Sequence, residues 1–151
     1  MKQVEIISGG TELLNEVEPL WAKLNEHHKK RSTHFSHKFE QLTFEKRKQN
    51  LLKEACDVTI NLIVDQTNNA YVGYCICTVN KEKQGEIDSL FIEKEYRKYG
   101  LGAELINRSI TWLENHQAQT IVIGVSEGNE HALDFYQKFG FYKRRYILER
   151  E

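Results

Sequence analysis

The stretch from Glu86 to Val125 constrains the fold of this chain more than any other. Glu86 to Ile92 (EIDSLFI) reads as a strand, and a polar loop follows it. Gly100 to His116 is then helical, with Leu101, Leu105, Ile110 and Leu113 on or near one face. Thr120 to Val125 (TIVIGV) is almost wholly apolar, as expected of a strand covered on both faces. A strand, a helix and a strand in this order demand a parallel pair joined by a crossover.

The loop inside this unit carries chemistry. Gly85 to Gly102 ends in Arg97-Lys98-Tyr99-Gly100-Leu101-Gly102, an R-x-x-G-x-G pattern that opens the helix. A helix N-terminus has unpaired backbone N–H groups and the positive end of the helix dipole, so it attracts anions. Glycines at 100 and 102 remove side chains that would hold a phosphate away, and Arg97 offers a charge-assisted bond to the same ligand. The loop is not a P-loop, for no G-x-x-x-x-G-K-[ST] run occurs, and a dinucleotide fingerprint fails at Leu105.

The rest of the chain supplies an ordered set of elements. Val4 to Ile7 is a short strand ended by Gly9-Gly10. From Thr11, apolar residues at Leu13, Leu14, Val17, Leu20, Trp21 and Leu24 keep helical spacing; Pro19 either kinks that helix or is its first residue. His27 to Lys38 reads as a solvated loop with His27, His28, His34 and His37, whose spacing completes no familiar metal-ligand set, and Phe35 and Phe39 pin it to something apolar. A second helix spans Thr43 to Ala55 with Thr43 as N-cap. Asp57 to Asp65, Ala70 to Val79 and Glu86 to Ile92 form an antiparallel meander closed by polar turns. Asn129 to Phe139 is an amphipathic helix, Gly140 its C′ residue, and Phe141 to Glu149 a final strand.

The expected fold class is α/β (α+β): a mixed, mostly antiparallel central sheet with helices on both faces, in the order β-α-α-β-β-β-α-β-α-β. At 151 residues, 1 to 151 is expected to be a single domain. A net charge of −1 gives no field for holding nucleic acid. Cys56, Cys75 and Cys77 cannot all pair, and Cys75 and Cys77 share one face of a strand, so they read as small buried hydrophobes in a reducing cytosol. No run approaches transmembrane length and no leader stands at the start, so a cytoplasmic protein is expected.

About thirty residues after the R-x-x-G-x-G loop comes Asn129-Glu130-His131-Ala132-Leu133-Asp134-Phe135-Tyr136-Gln137-Lys138-Phe139-Gly140-Phe141, an N-x-x-A-x-x-F-Y-x-x-x-G-F pattern. With these two motifs in this order, roughly residues 57 to 148 resemble the GNAT superfamily of acyl-CoA-dependent N-acyltransferases. The first half matches only in its pattern of elements.

The resemblance implies that acetyl-CoA is the acyl donor, with no metal, and that an amine is the acceptor. Its pyrophosphate would sit on Arg97, Lys98, Tyr99, Gly100, Leu101 and Gly102. The pantetheine arm would lie between parallel strands ending near Ile92 and Val125, pairing with backbone at Leu90, Phe91 and Ile92 and meeting Asn129 on its other side. Tyr136 matches the family's tyrosine at the departing thiolate, as proton donor or as hydrogen-bond donor. Glu86 falls where several members carry a catalytic glutamate. Asp88 lies two residues on, nearer an expected bulge; either carboxylate, or a water, would take the amine's proton. Paired carboxylates also suit a cationic acceptor. The expected activity is therefore acetyl transfer to a primary amine of a small cationic molecule or peptide; the alternative is a non-catalytic acyl-CoA-binding regulatory module. His27 to Phe39 and Tyr142 to Tyr146 would shape the acceptor pocket. Phe141 to Leu148, as an edge strand, would pair across a homodimer axis.

Overall fold

The computed structural model describes residues 3–151. Five strands, β1 (Val4–Gly9), β2 (Ala55–Asp65), β3 (Ala70–Asn80), β4 (Gln84–Ile92) and β5 (Thr120–Ile123), form one sheet in sequence order. The first three pairings are antiparallel and β4–β5 is parallel. Five helices complete the fold: α1 (Leu14–Arg31), α2 (Ser36–Gln41), α3 (Phe44–Glu54), α4 (Leu101–Asn115) and α5 (Ala132–Gln137).

Two apolar layers hold the sheet. On one face α4 buries Leu101, Leu105, Ile106 and Leu113 against Ile63, Val72, Cys75, Cys77, Val79 and Ile87, with Phe135 and Tyr136 of α5 packed alongside. On the other, Leu14, Val17, Leu20 and Trp21 of α1 and Phe44 and Leu51 of α3 cover Ile60, Leu62, Tyr74, Ile76 and Phe91. Each such side chain contributes about 1.5–3 kcal/mol by leaving water. Cys75 and Cys77 sit fully buried behind α4, with Ser109 Oγ 3.3 Å from the Cys75 sulfur. Among the described residues no helix is long and apolar enough to cross a membrane.

The structure corrects four expectations. Pro19 is not the first residue of α1; it lies inside the helix, which follows a 3-10 turn at Thr11–Leu13, with buried Leu14, Val17, Leu20 and Trp21 on both sides of it. That packing outweighs the one hydrogen bond a proline removes. His27 and His28 belong to α1, and His37 and Lys38 to α2, so only residues 32–35 of the expected loop stand between helices. α5 begins at Ala132 because Ser126 to His131 forms turns around Gly128, at φ +94°. The expected strand Phe141 to Glu149 does not form: residues 141–150 have no regular structure, and Tyr142, Tyr146, Ile147 and Leu148 are exposed. A strand needs a ladder partner to be stable, and β5 pairs only with β4. An ion pair of Lys38 with Glu149 and a 3.1 Å contact of His34 Nδ1 with Glu151 Oε2 lay this tail beside α2 and the residues before it.

Thr43 does cap α3, accepting from the Lys46 N–H at 3.2 Å. α5 ends at Gln137 with Lys138 as its C-cap, short of the expected Phe139, and Gly140, at φ +91°, lies in the turn that follows, where the Phe141 N–H reaches back to the Tyr136 carbonyl.

Candidate active site

Parallel pairing of β4 with β5 runs from Gln84/Thr120 to Ile87/Ile123 and stops. β4 continues to Ile92 against β3, while β5 ends. Beyond Ile87, one edge of β4 is therefore open on the side where β5 lay. The pairing of β3 with β4 slips at the same level, from Ile76↔Ser89 to Cys77↔Ile87, which leaves Asp88 as the extra residue of a bulge.

A cavity of about 200 Å³ opens at this junction, lined by residues of both strands. Asp88, Ser89 and Leu90 come from β4, Ile123, Gly124 and Ser126 from β5 and its exit, and Asn129 and Tyr136 from the α5 region; Trp21, Asn25, His28 and Phe39 form the opposite wall. A Cβ built on Gly124 meets nothing within 4 Å, so the cavity is open there. Glu127 ties the exit of β5 to the link between α1 and α2, accepting from Ser32 Oγ at 2.7 Å and from the Thr33 and His34 N–H groups at 2.8 and 3.1 Å. These bonds hold its carboxyl below the ordinary glutamate value.

A second cavity, also about 200 Å³, lies along β4 toward its start and is lined by Glu86, Thr78, Gln84 and the α3 residues Arg47, Asn50 and Glu54. Arg47 and Asp88 line both cavities. The two strand carboxylates therefore meet in the second cavity, and only Asp88 reaches the first. Asp88 shares a cavity with Tyr136; Glu86 does not.

Their electrostatics also differ in cause and size. Burial pushes the Asp88 carboxyl up from 3.8 to about 7, with Glu86 adding to the rise, against a 2.6 Å hydrogen bond from Thr78 Oγ1 and the charge of Arg47. A carboxylate with that affinity is half ionised near neutral pH, the range in which a general base works best. Burial raises Glu86 too, opposed by Arg47. Tyr136 is raised above the ordinary tyrosine value, first by burial.

The expected anion loop stands at the open end of β4. Gly100 precedes α4 at φ +73°, ψ +11°, a left-handed conformation that glycine adopts without cost. Open space lies over it, leaving the helix N-terminus accessible. Gly102 serves packing instead: a Cβ there would come within 3.2 Å of Phe135 Cζ, so its small size lets α5 lie on the first turn of α4. Arg97 donates from Nε to the Ile92 carbonyl at 2.7 Å and lies 5.5 Å from the Phe91 ring centroid. Lys98 and Tyr99 are exposed, whereas the Phe91 and Ile92 side chains are buried and leave only backbone for a ligand.

Of the expected acceptor residues, His28 and Phe39 line the cavity that Asp88 and Tyr136 share, their rings 5.3 Å apart. Burial lowers the affinity of His28 for a proton, and its Nδ1 is buried with no hydrogen-bond partner. Tyr146 is 77% exposed and lines neither cavity. Sequence reading missed Arg47, although a signal existed. Phe44, Arg47, Leu51 and Glu54 recur at helical spacing, and two charges on an apolar stripe mark a face that meets something polar.

The chain is similar to characterised proteins in both sequence and fold. It is 36% identical over 85 residues to N-alpha-acetyltransferase 30 of Schizosaccharomyces pombe, covering 52% of this chain and 57% of that protein. It is 35% identical over 63 residues to the spermine/spermidine N(1)-acetyltransferase of Bacillus subtilis, covering 41% of each. The chain spans about half the length of the curated relatives it matches. Among solved structures it superposes on a GCN5-related N-acetyltransferase from Ralstonia eutropha with a TM-score of 0.76 at 12% identity, over 99% of each chain. It also superposes on AAC(6')-Iy in complex with the bisubstrate analog CoA-S-monomethyl-acetylneamine, with a TM-score of 0.69 at 14% identity, over 99% of this chain and 98% of that one. At these identities the likeness is one of fold. The model of the Acetyltransferase (GNAT) family matches residues 21–141, and the chain belongs to that family.

Proposed function

We propose that this protein transfers the acetyl group of acetyl-CoA directly to a primary amine of a small cationic molecule or peptide. One observation carries the reading: Asp88, Asn129 and Tyr136 line one cavity at the point where β4 and β5 part. Acetyl-CoA suits the surroundings. Its phosphates meet the accessible N-terminus of α4 at Arg97 to Gly102, and its pantetheine meets the open edge of β4 at Leu90 to Ile92.

An alkylamine is mostly ammonium at neutral pH, so its proton must leave before nitrogen attacks the thioester carbon. Asp88 takes that proton; with a pKa of about 7 it is both ionised often enough and basic enough. Glu86, one cavity away, supplies negative charge that favours a cationic acceptor. Tyr136 donates a hydrogen bond to the departing sulfur. A phenol raised further above the thiol value of about 8.5 keeps its proton, so it stabilises the thiolate without surrendering it. Two relatives named for N-alpha and spermine/spermidine N(1) acetylation support an amine acceptor.

The test has two stages. A thermal-shift titration with acetyl-CoA should raise the melting midpoint, since a ligand bound only by the native state stabilises it; no shift would overturn the donor assignment. A thiol-release screen over polyamines, aminoglycosides and N-terminal peptides should then find a substrate. Tyr136→Phe should keep the thermal shift and lose roughly 10²-fold in kcat. Acetyl-CoA binding without turnover of any amine would favour a regulatory acyl-CoA-binding module.

A further inference from the structure

The bulge in β4 is gripped from outside the sheet. A bulged residue loses part of its ladder, so its direction depends on whatever else holds it. Arg47, on α3, donates from Nη2 to the Asp88 carbonyl oxygen at 3.1 Å. Thr78, on β3, donates from Oγ1 to Asp88 Oδ2 at 2.6 Å. Backbone and carboxylate of one residue are thus fixed from two different elements. Arg47 also stands where the two cavities meet, the position it shares with Asp88.

We propose that Arg47 is a positioning residue of the reaction, clamping the Asp88 backbone across the bulge and setting a fixed positive charge beside its carboxylate. The inference rests on the reading of Asp88 as the proton acceptor. The titratable and charged groups around Asp88 are Glu86 on β4, Arg47 and Glu54 on α3, and His28 of α1 and Tyr136 of α5 in the first cavity; Thr78 on β3 bonds it, and the Cys77 thiol, buried behind α4, lies within reach of its charge. Burial and Glu86 favour the neutral acid, and the Thr78 hydrogen bond and Arg47 oppose them. Arg47 is the fixed cation of this set. Its two contributions separate chemically: the hydrogen bond aims the bulge, and the charge keeps the base ionised.

Two substitutions divide those contributions. Arg47→Gln retains a hydrogen-bond donor and removes the charge; Arg47→Lys retains the charge and removes the planar fork. The measurement is the pH profile of kcat/KM for the acceptor at saturating acetyl-CoA, with melting curves to verify folding. In the unmodified protein activity should fall as pH drops through about 7. Arg47→Gln should move this acid limb up by roughly half to one pH unit, because a base without its neighbouring cation binds its proton more tightly. Arg47→Lys should keep the limb in place and lower the plateau by about tenfold, as the bulge loses its aim. A purely structural Arg47 would lower the melting midpoint and leave the limb unmoved in both variants, and that result overturns the proposal. Asp88→Asn is the control. An acid limb that survives in Asp88→Asn defeats the reading of Asp88 itself, an outcome distinct from failure of Arg47.

Discussion

Replacing Asp88 by Asn should make the protein more stable at alkaline pH while stopping its reaction. The native carboxyl titrates at about 7 against 3.8 for an ordinary aspartate, because folding removes it from water. A group whose folded value is raised contributes its full stability below the unfolded value and loses it as pH rises through the folded one. The window therefore runs from about 3.8 to about 7, and above it the native state carries a desolvated charge. A gap of about three pH units, at about 1.4 kcal/mol per unit, sets a ceiling near 4 kcal/mol. Relaxation and water in the cavity reduce this, so we expect about 2 kcal/mol at pH 8. For a domain of this size that is a rise of roughly 4–8 °C in melting midpoint. Asparagine keeps an Oδ1 to accept from Thr78, so the hydrogen bond survives. Thermal and urea denaturation of both proteins at pH 8, 6 and 4 would show the gain shrinking as pH falls. A loss of stability at pH 8, or a gain independent of pH, would refute the argument. Turnover at pH 7.5 should fall by roughly 10²–10⁴-fold, the usual worth of a general base.

Other substitutions probe the cleft and the core. Gly124→Val places a side chain in open space at the mouth of the parted strands; it should abolish the acetyl-CoA thermal shift while leaving the ligand-free melting curve nearly unchanged. Gly102→Ala drives a Cβ to 3.2 Å from Phe135 Cζ and should displace α5, raising the KM for acetyl-CoA several-fold. Gly100→Ala meets no neighbour but keeps φ +73°, so its cost should be a plain backbone strain of about 1 kcal/mol in urea denaturation. A thiol reagent should label one of three cysteines quickly, Cys56, because Cys75 and Cys77 are buried and the Cys77 thiol is pushed well up by its bond to Cys75 and by burial.

Elements with strong period and local punctuation were legible in the sequence. The meander, the crossover helix and the Thr43 cap follow from alternation, helical spacing and one hydroxyl, and tertiary contacts do not compete with them. Segments whose state depends on a distant partner were not. Phe141 to Glu149 has strand composition and finds no ladder. Pro19 reads equally as a kink or as a first residue until the buried residues on both sides of it are known. At the site, residue types on the motifs were visible, and their grouping was not. Nothing in the spacing of Glu86 and Asp88 says that both line one cavity while only Asp88 also reaches the cavity of Tyr136. For Arg47 the helical spacing marked a polar face, but its contact could not be read, because its partner is a backbone carbonyl.

The two irregularities of β4 are better understood as one device. Parallel pairing with β5 ends at Ile87, and the bulge against β3 falls at Asp88, the next residue. An uninterrupted ladder would bury both edges of β4 and leave no backbone for a ligand to pair with. Ending the ladder alone would open the strand, and alternation would still continue unbroken past that point. The extra residue breaks the alternation where the cleft begins, so Asp88 lines the reaction cavity as well as the one that holds Glu86. The same break weakens the strand locally, and Thr78 and Arg47 make good that loss from β3 and α3. Deleting Asp88 should therefore do more than remove a carboxylate. Removing the extra residue joins Ile87 to Ser89 with their partners Cys77 and Ile76 kept, so the faces of the strand stay as they are while the Thr78 and Arg47 bonds to the bulge are lost. The deletion should lose more stability than Asp88→Asn gains, and adding back external carboxylate should leave it inactive.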